Sequence, residues 1–409
     1  MKNRNRVRKY NTHYKFKNHS KCYIYYLEKK IKSLEENHSL WQKAQLANNE
    51  RLKQLEIKFL VKETTKKLAQ QDAERKEKQE LENLKSDKSF IMFILAIETS
   101  CDETSIAVLK DKKVLSNITF SQIFEQEKHG GVMPSLAAKL HLNNIQKVLE
   151  HALTKAQIAP QDIDYIAYTE KPGLVICLQI GKVVAETLAL YLRKPLINCN
   201  HLHAHIYASL LENEKEWKFP VLALIISGGH TQIYYLNNHL DFDLWGETSD
   251  DAVGECLDKS AILLGYSYPG GPTIEKLALN AQNTYQLPLP KNNHSLDFSF
   301  SGLKSAVRRL VESEGDKLNI SNLACSLQYT IAKTLTSKIE KALNKKKFAS
   351  LVLGGEVVAN KFLVNYLKNF LRQNHQSVEI FVPNKKYCTD NAAMVGILAH
   401  YQIINSKKK

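Results

Sequence analysis

The feature that most constrains the fold is an arrangement that occurs twice after Met92: an apolar strand, a short polar turn and a second strand. In the first copy, strands at 93–97 and 106–109 flank a polar segment; in the second, strands at 221–226 and 231–236 do so. Further strands are expected at 115–120, 163–169 and 349–353, and helices at 136–156, 175–192, 252–264, 323–343, 360–372 and 392–404. This alternation predicts a layered α/β fold in two lobes.

The chain has 409 residues, which is too long for one ordinary hydrophobic core and favours several domains. The pattern places lobe 1 at 92–205, completed by a C-terminal helix at 390–405, and lobe 2 at 206–389. Residues 1–90 then form a separate extension.

The extension differs in composition from the rest of the chain. It holds no Gly and no Pro, and its 23 Lys and Arg against 12 Asp and Glu supply +11 of the net charge of +15. Residues 23–84 favour a solvated or self-pairing helix, because the apolar spacing never settles into heptads. The basic, aromatic start favours a disordered tail over an RNA-binding segment. A start of translation at Met92 is an alternative.

Membrane and secreted proteins are disfavoured. No uninterrupted apolar run approaches the roughly 18 residues of a membrane-spanning helix. The seven cysteines are scattered singly and odd in number, which argues against a disulfide framework or a thiolate zinc site. We therefore expect a cytoplasmic protein with no membrane partner.

The two polar turns, at 98–104 and 227–230, are typical of phosphate-binding sites. Their small side chains let backbone N–H groups approach an anion, and acidic residues in the first can face a cation. One such turn is usually only a turn, but two in corresponding places predict a nucleotide in a cleft. Gly354-Gly355, just before a helix, has two interpretations. It is either a third place where backbone N–H groups approach an anion or ribose, or a simple strand-to-helix turn.

A metal site is predicted from a histidine pair. His201 and His205 are four residues apart, and because four residues turn a helix by about 400°, both imidazoles face one way. His203 should point elsewhere. Asp390, just before a helix, is the candidate third ligand. Two imidazoles and a carboxylate suit zinc or ferrous iron and leave positions open for substrate.

Eight collinear segments give the chain a family resemblance. From residue 93 to about 402, it resembles the bacterial TsaD family, also called Gcp. The segments are 98–104, the His201/His205 pair, 227–231, 250–259, 268–272, 297–304, Gly354-Gly355 and 388–391. The resemblance implies two actin-like, ribonuclease-H-type (ASKHA) lobes with ATP in the cleft. It also implies one divalent metal, Fe²⁺ in preference to Zn²⁺, on His201, His205 and Asp390.

The resemblance further implies a reaction. Such an enzyme transfers the threonylcarbamoyl group of threonylcarbamoyl-AMP to N6 of the adenosine 3′ to the anticodon in tRNAs reading ANN codons, and releases AMP. Its partners are a TsaB-like paralogue and a TsaE-like ATPase. Asp102 and Glu103 would lie near the phosphates or the metal as catalytic residues. The nucleotide and adenylate site would be lined by Ile225, Ile226, Ser227, Gly228, Gly229, Asp258, Gly271 and Asn360.

Some positions depart from the family pattern, and three alternatives remain open. The expected adenylate affinity and dimer packing are in doubt because of these departures, which are Glu170-Lys171, Lys182, Ala185 and Val358.

The alternatives are a metalloprotease, which would need a glutamate beside the histidine pair; a non-catalytic partner subunit of the same fold; and a sugar or acetate kinase. Cys101 is expected to be a packed residue, not a nucleophile. Candidate tRNA contacts are Lys304, Arg308, Arg309 and 345–347, each with a solvated face as the simpler interpretation.

Overall fold

The computed structural model describes residues 91–289 and 295–407. The predictions made for residues 1–90 lie outside this part of the chain. The strands are β1 (Phe93–Glu98), β2 (Glu103–Lys110), β3 (Lys113–Ser121), β4 (Tyr165–Lys171), β5 (Leu196–Asn200), β6 (Val221–Ile226), β7 (Thr231–Leu236), β8 (Phe242–Glu247), β9 (Ser350–Gly354) and β10 (Glu379–Phe381).

Ten α-helices accompany these strands in the described residues. They are α1 (Ile123–Glu127), α2 (Pro134–Ala156), α3 (Val175–Leu192), α4 (His201–Tyr207), α5 (Val253–Leu263), α6 (Gly270–Leu277), α7 (Ser301–Glu314), α8 (Ile320–Lys345), α9 (Lys361–Asn374) and α10 (Ala392–Lys407). Short 3₁₀ turns lie between them, and one of these, Glu356–Ala359, connects β9 to α9.

The two sheets have the same topology, which confirms the predicted repeat. Their strand orders are β3-β2-β1-β4-β5 and β10-β9-β6-β7-β8. In each, the first strand is central, pairs antiparallel with the next strand in sequence and parallel with the fourth. Both central strands are almost wholly buried, because layers cover both faces of each sheet. The two polar turns therefore lie at corresponding positions, each at the carboxyl end of the central strand of its sheet.

A hydrophobic cluster joins the sheets through α4 and α10. It contains residues of β1 and β6 together with most of α10, which is buried all round from Ala392 to His400. Small residues let α10 approach the first sheet closely: a Cβ at Gly396 would lie 2.4 Å from Leu109 Cδ1. Asp390, just before α10, and the histidines of α4 are therefore held by the same core.

The six cysteines in the described residues are free thiols. Helix α3 corrects the expectation about apolar runs. By length and composition it could cross a membrane, with a mean hydropathy of 1.6 over 18 residues. Lys182 and Glu186 interrupt its apolar residues, so it contains no continuous apolar run of that length. The buried face of α3 packs on β4 and α2, which is typical of a core helix in a layered α/β fold.

Candidate metal and nucleotide site

The histidine pair lies on a helix whose first turn is fixed by a side-chain cap. The Asn200 side chain accepts hydrogen bonds from the amides of Leu202 and His203, at 2.9 and 3.1 Å. This cap starts α4 at His201, so that His205 follows one turn later. The two rings meet edge to face with centroids 4.7 Å apart. His203 turns away and stacks on Phe242, as predicted.

Asp390 meets both histidines. Its Oδ1 lies 3.0 Å from Nε2 of His205 and 3.6 Å from Nε2 of His201. Each of the three residues offers one potential ligand atom, and these three atoms lie within 4.8 Å of one another. Two imidazole nitrogens and one carboxylate oxygen converging in this way fit a divalent transition metal.

A buried carboxylate behind His201 fixes the orientation of its ring. Glu98 is fully buried, and its Oε2 lies 3.3 Å from Nδ1 of His201. Since an ionised carboxylate only accepts, Nδ1 carries the proton, and Nε2 is left to face Asp390. Glu98 also accepts from the Ser100 amide at 2.5 Å and from the Thr169 hydroxyl. Glu98 belongs to the first polar turn of the sequence, but its contact with His201 was not predicted.

These charges shift the pKa values of the group. Burial acts against ionisation of His201, but Asp390 and Glu98 outweigh it and raise its pKa to about 9. Burial also opposes ionisation of Asp390, yet His201 and His205 bring the pKa of its carboxyl well below the usual range. Burial would raise the pKa of the Glu98 carboxyl, but His201 outweighs burial and lowers this pKa. The site therefore holds two carboxylates around a histidine pair that a cation can bridge.

The first turn places Asp102 and Glu103 beside this cluster. Asp102 is buried, and its Oδ2 has no hydrogen-bond partner within the described residues. Burial raises the pKa of Asp102, and burial together with the Asp102 charge raises that of Glu103. Burial and Asp102 also raise the pKa of the Cys101 thiol, which supports a packed residue over a nucleophile.

His141 of α2 supports this turn and was not found from the sequence. Its Nε2 lies 2.9 Å from the Cys101 carbonyl, and its Nδ1 lies 2.7 Å from the Thr104 hydroxyl. Because a carbonyl only accepts, Nε2 carries the proton and Nδ1 accepts from Thr104. A histidine within an amphipathic helix carries no local signal that could have revealed this role.

The second turn connects β6 to β7. Ile225 and Ile226 are buried strand residues, so they reach a ligand only through their backbone. Gly228 and Gly229 follow, and Gly254 at the start of α5 packs against them: a Cβ there would lie 2.6 Å from Gly228 Cα. The backbone of this turn is thus held against a helix N-terminus, an arrangement that suits anion binding.

Three other predicted nucleotide-site residues form or contact the starts of helices α6 and α9, and one of them, Gly271, is in the first turn of α6. Asp258 accepts from the amides of Gly270 and Gly271 at 2.6 and 3.3 Å, and burial raises its pKa. Asn360 accepts from the Leu363 amide at 3.0 Å and donates to Gln328 at 2.7 Å. The side chains of Asp258 and Asn360 therefore have structural roles that do not depend on a ligand.

Glu356, which sequence reasoning missed, lies against the second turn. Its Oε1 accepts from the Gly228 amide at 2.5 Å. Part of its side chain is open to solvent, but enclosure of the carboxyl group, followed by the charge of Asp390, raises its pKa to about 7. The residue follows Gly354-Gly355, which the sequence analysis singled out, but its reach to Gly228 depends on tertiary structure.

The departures noted in the sequence are accommodated in the fold. Glu170 accepts from Asn198 at 3.1 Å, and Lys182 lies 3.8 Å from Glu186 one turn along α3. Ala185 and Val358 are buried in the hydrophobic clusters. Lys304, a candidate tRNA contact, lies 3.1 Å from Asp251 in an ion pair within lobe 2.

Comparison with known proteins identifies the family. The sequence model of TsaD, described as tRNA N6-adenosine threonylcarbamoyltransferase, matches residues 113–397. The chain belongs to the TsaD family. A curated TsaD relative from Mycoplasma capricolum subsp. capricolum, of that same name, is 46% identical over 78% of this chain and 100% of its own length. Another from Mesoplasma florum is 45% identical over 77% and 100%. The predicted family and transferase class are confirmed, and the protease, scaffold and kinase alternatives are not favoured.

Solved structures support the actin-like fold of this TsaD-family chain. The crystal structure of T. kodakarensis HypF matches 78% of this chain and 48% of its own, with a TM-score of 0.55 and 13% identity. At that identity the likeness concerns the fold alone. The predicted α/β architecture of two ASKHA-type lobes is therefore confirmed for the described residues, and the lobe boundaries at 205/206 and 389/390 stay a prediction.

Proposed function

We propose that this chain transfers the threonylcarbamoyl group of threonylcarbamoyl-AMP to N6 of the adenosine 3′ to the anticodon in tRNAs reading ANN codons, and releases AMP. Family membership supports the reaction class. The observation that carries the proposal is the convergence of His201 and His205 on Asp390, beside the polar turn that holds Asp102.

We infer that His201, His205 and Asp390 hold one divalent metal, Fe²⁺ in preference to Zn²⁺. When bound there, such a cation supplies Lewis-acid stabilisation to an oxygen of the acyl phosphate. Glu98 orients His201 for this role by accepting from its Nδ1–H. The charge of Asp390 balances part of the charge of the cation.

The attacking group, the exocyclic amine of adenine, is a poor nucleophile, because its lone pair is delocalised into the ring. Positioning should therefore contribute more than a strong base. In the step, a bond forms between N6 and the carbamoyl carbon, and the bond from that carbon to the phosphate oxygen breaks. The proton from N6 passes to a carboxylate, for which Asp102 and Glu103 are the candidates, since their raised pKa values favour accepting it.

The nucleotide half of the adenylate, or ATP, is proposed to lie along the second turn. Gly228 and Gly229 offer backbone amides to the phosphate, with Ser227 and the backbone of Ile225 and Ile226 behind them. Asp258, Gly271 and Asn360 are proposed to lie beside the base and ribose.

The proposed partners come from the reaction and from the family resemblance. tRNA is the acceptor, a synthase supplies the adenylate, and a TsaB-like paralogue and a TsaE-like ATPase assemble with this chain in the cytoplasm. No membrane partner is proposed.

Nucleoside analysis of total tRNA tests the proposed function. Cells depleted of this protein should lose threonylcarbamoyladenosine and regain it with the wild-type gene but not with a His201→Ala, His205→Ala double variant. Unchanged threonylcarbamoyladenosine after depletion would refute the proposal. Recovery with the double variant would refute the metal site alone.

A further inference from the structure

The amides of the turn at 227–230 point in two directions. Ser227 N–H donates to the His230 carbonyl at 2.8 Å, and His230 N–H donates to the Ser227 hydroxyl at 3.1 Å, so these two amides close the turn on itself. The carbonyls of Ser227 and Gly228 accept from the amides of Gly254 and Glu255, both at 3.2 Å. The back of the turn is thereby fixed to α5.

The Gly228 amide points out of the turn, and a side chain of this same chain takes it up. Oε1 of Glu356 accepts from it at 2.5 Å. A Cβ at Gly228 would lie 2.6 Å from that same oxygen. The carboxylate therefore covers the open face of the residue through which a ligand phosphate would reach the turn.

The backbone before Glu356 holds the side chain in this position. Gly355 has a φ of +97°, a left-handed conformation that favours glycine. A Cβ at Gly355 would lie 2.4 Å from the Ile226 carbonyl, so the two backbones are in close contact. Because β6 and β9 are paired up to this point, the reach of Glu356 to Gly228 is set by the sheet.

A carboxylate oxygen and a phosphate oxygen make the same kind of charge-assisted hydrogen bond to a backbone amide. Both cannot accept from one N–H at full strength. The charges of Asp390, Asp258 and Asp102 also act on Glu356. A ligand phosphate would therefore enter a cleft in which negative charge already occupies its place.

We propose that Glu356 is an internal anion that occupies the phosphate position of the Ser227–His230 turn and must be displaced when a phosphate-bearing ligand binds. The proposal rests on the nucleotide site proposed above and deepens it. It makes Glu356 a residue that weakens phosphate affinity, and so eases release of a phosphate-bearing product such as AMP. The reacting groups do not include Glu356.

Calorimetric titration of the full chain with AMP and with adenosine tests this, at a pH above the raised pKa of Glu356. Glu356→Ala should tighten AMP binding by about tenfold, since one charge-assisted hydrogen bond no longer competes. Glu356→Gln keeps the shape and a neutral acceptor, so it should tighten AMP binding by less. Neither change should alter adenosine binding by more than about twofold. Glu312→Gln removes the same charge from an exposed position in lobe 2 and should leave both affinities unchanged.

The outcomes separate this inference from the proposed function. If Glu356→Ala leaves AMP affinity unchanged or weakens it while adenosine still binds, Glu356 is not a competitor and the inference is wrong, although the nucleotide site stands. Equal tightening of AMP and adenosine would also refute it. If neither ligand binds any of the four proteins, both the nucleotide site and the inference fail.

Discussion

The fully buried Oε2 of Glu98 lies 3.3 Å from Nδ1 of His201, across 103 residues of sequence. This contact determines which ring nitrogen faces Asp390, and it connects the first polar turn to the histidine helix. Carboxylates that orient a ligand histidine commonly strengthen metal binding by about ten- to a hundredfold.

Replacing Glu98 should weaken metal binding without removing a ligand. In Glu98→Gln the charge behind His201 is lost and its ring is held less firmly, so we expect metal affinity to fall by about ten- to a hundredfold. Competition with a chelator of known affinity measures this. Glu186→Gln, on the exposed side of α3, is the control and should bind as wild type. Equal affinity of the Glu98 variant would show that the contact does not orient a ligand.

Removing Asp390 should lower the metal content directly. The Asp390→Ala variant loses the oxygen on which both histidines converge, so the purified protein should contain a small fraction of the wild-type metal by elemental analysis. Asp162→Ala, in an exposed 3₁₀ turn, should leave the content unchanged. Full occupancy in the Asp390 variant would mean that the third ligand lies elsewhere.

Metal binding should depend on pH through His201. Its pKa is raised to about 9 without a metal, so at neutral pH the ring carries a proton on each nitrogen and must lose the one on Nε2 to bind. Affinity should therefore rise with pH by up to about one log unit per pH unit until pH passes that pKa, and then level off. Titrations in buffers of different ionisation enthalpy should show release of about one proton. Proton-independent binding at neutral pH would contradict this assignment.

The packing of the second turn against α5 predicts a glycine requirement. Gly254→Ala would place a methyl group 2.6 Å from Gly228 Cα, where backbone must move, so we expect a loss of about 1–3 kcal/mol in unfolding free energy and weaker AMP binding. Gly302→Ala meets no heavy atom within 4 Å and serves as the control. Urea unfolding compares the two variants. Equal stability would show that the turn and α5 separate freely.

Elements with strong local patterns were predictable from the sequence. The central strands β1 and β6 are continuous apolar runs, and helices α2, α3, α5, α8, α9 and α10 were all expected, with ends that shift by up to about three residues. Helix α3 has the predicted bounds. The repeated hairpin was visible because each copy combines two apolar strands with a polar turn.

Other elements carry weaker patterns and were missed. Strand β8 lies at the edge of its sheet with half of its residues exposed, so no apolar run marks it. Strand β10 has three residues, and β5 merges into the start of α4. Helices α6 and α7 were also not predicted; each begins within a motif segment rich in Gly, Pro or Ser, which masks its start.

The residues of the candidate site also fall into those that a local sequence pattern predicts and those that it does not. The histidine pair follows from helical spacing, and Asp390 from its place before a helix. Glu98, His141 and Glu356 act through contacts that join residues 103, 40 and 128 positions apart, and no local pattern encodes such contacts. The ligand roles of Asp258, Gly271 and Asn360 stay predictions.

A single-turnover reaction of this chain, assembled with its TsaB-like and TsaE-like partners, tests the proposed transfer most directly. Unmodified tRNA is mixed with threonylcarbamoyl-AMP, and the tRNA nucleosides and released AMP are quantified together by mass spectrometry. We predict N6-threonylcarbamoyladenosine and AMP in equal amounts, with both lost in the His201→Ala, His205→Ala variant. AMP release without modified adenosine, or modification that persists in the double variant, would contradict the proposed reaction or its metal site, respectively.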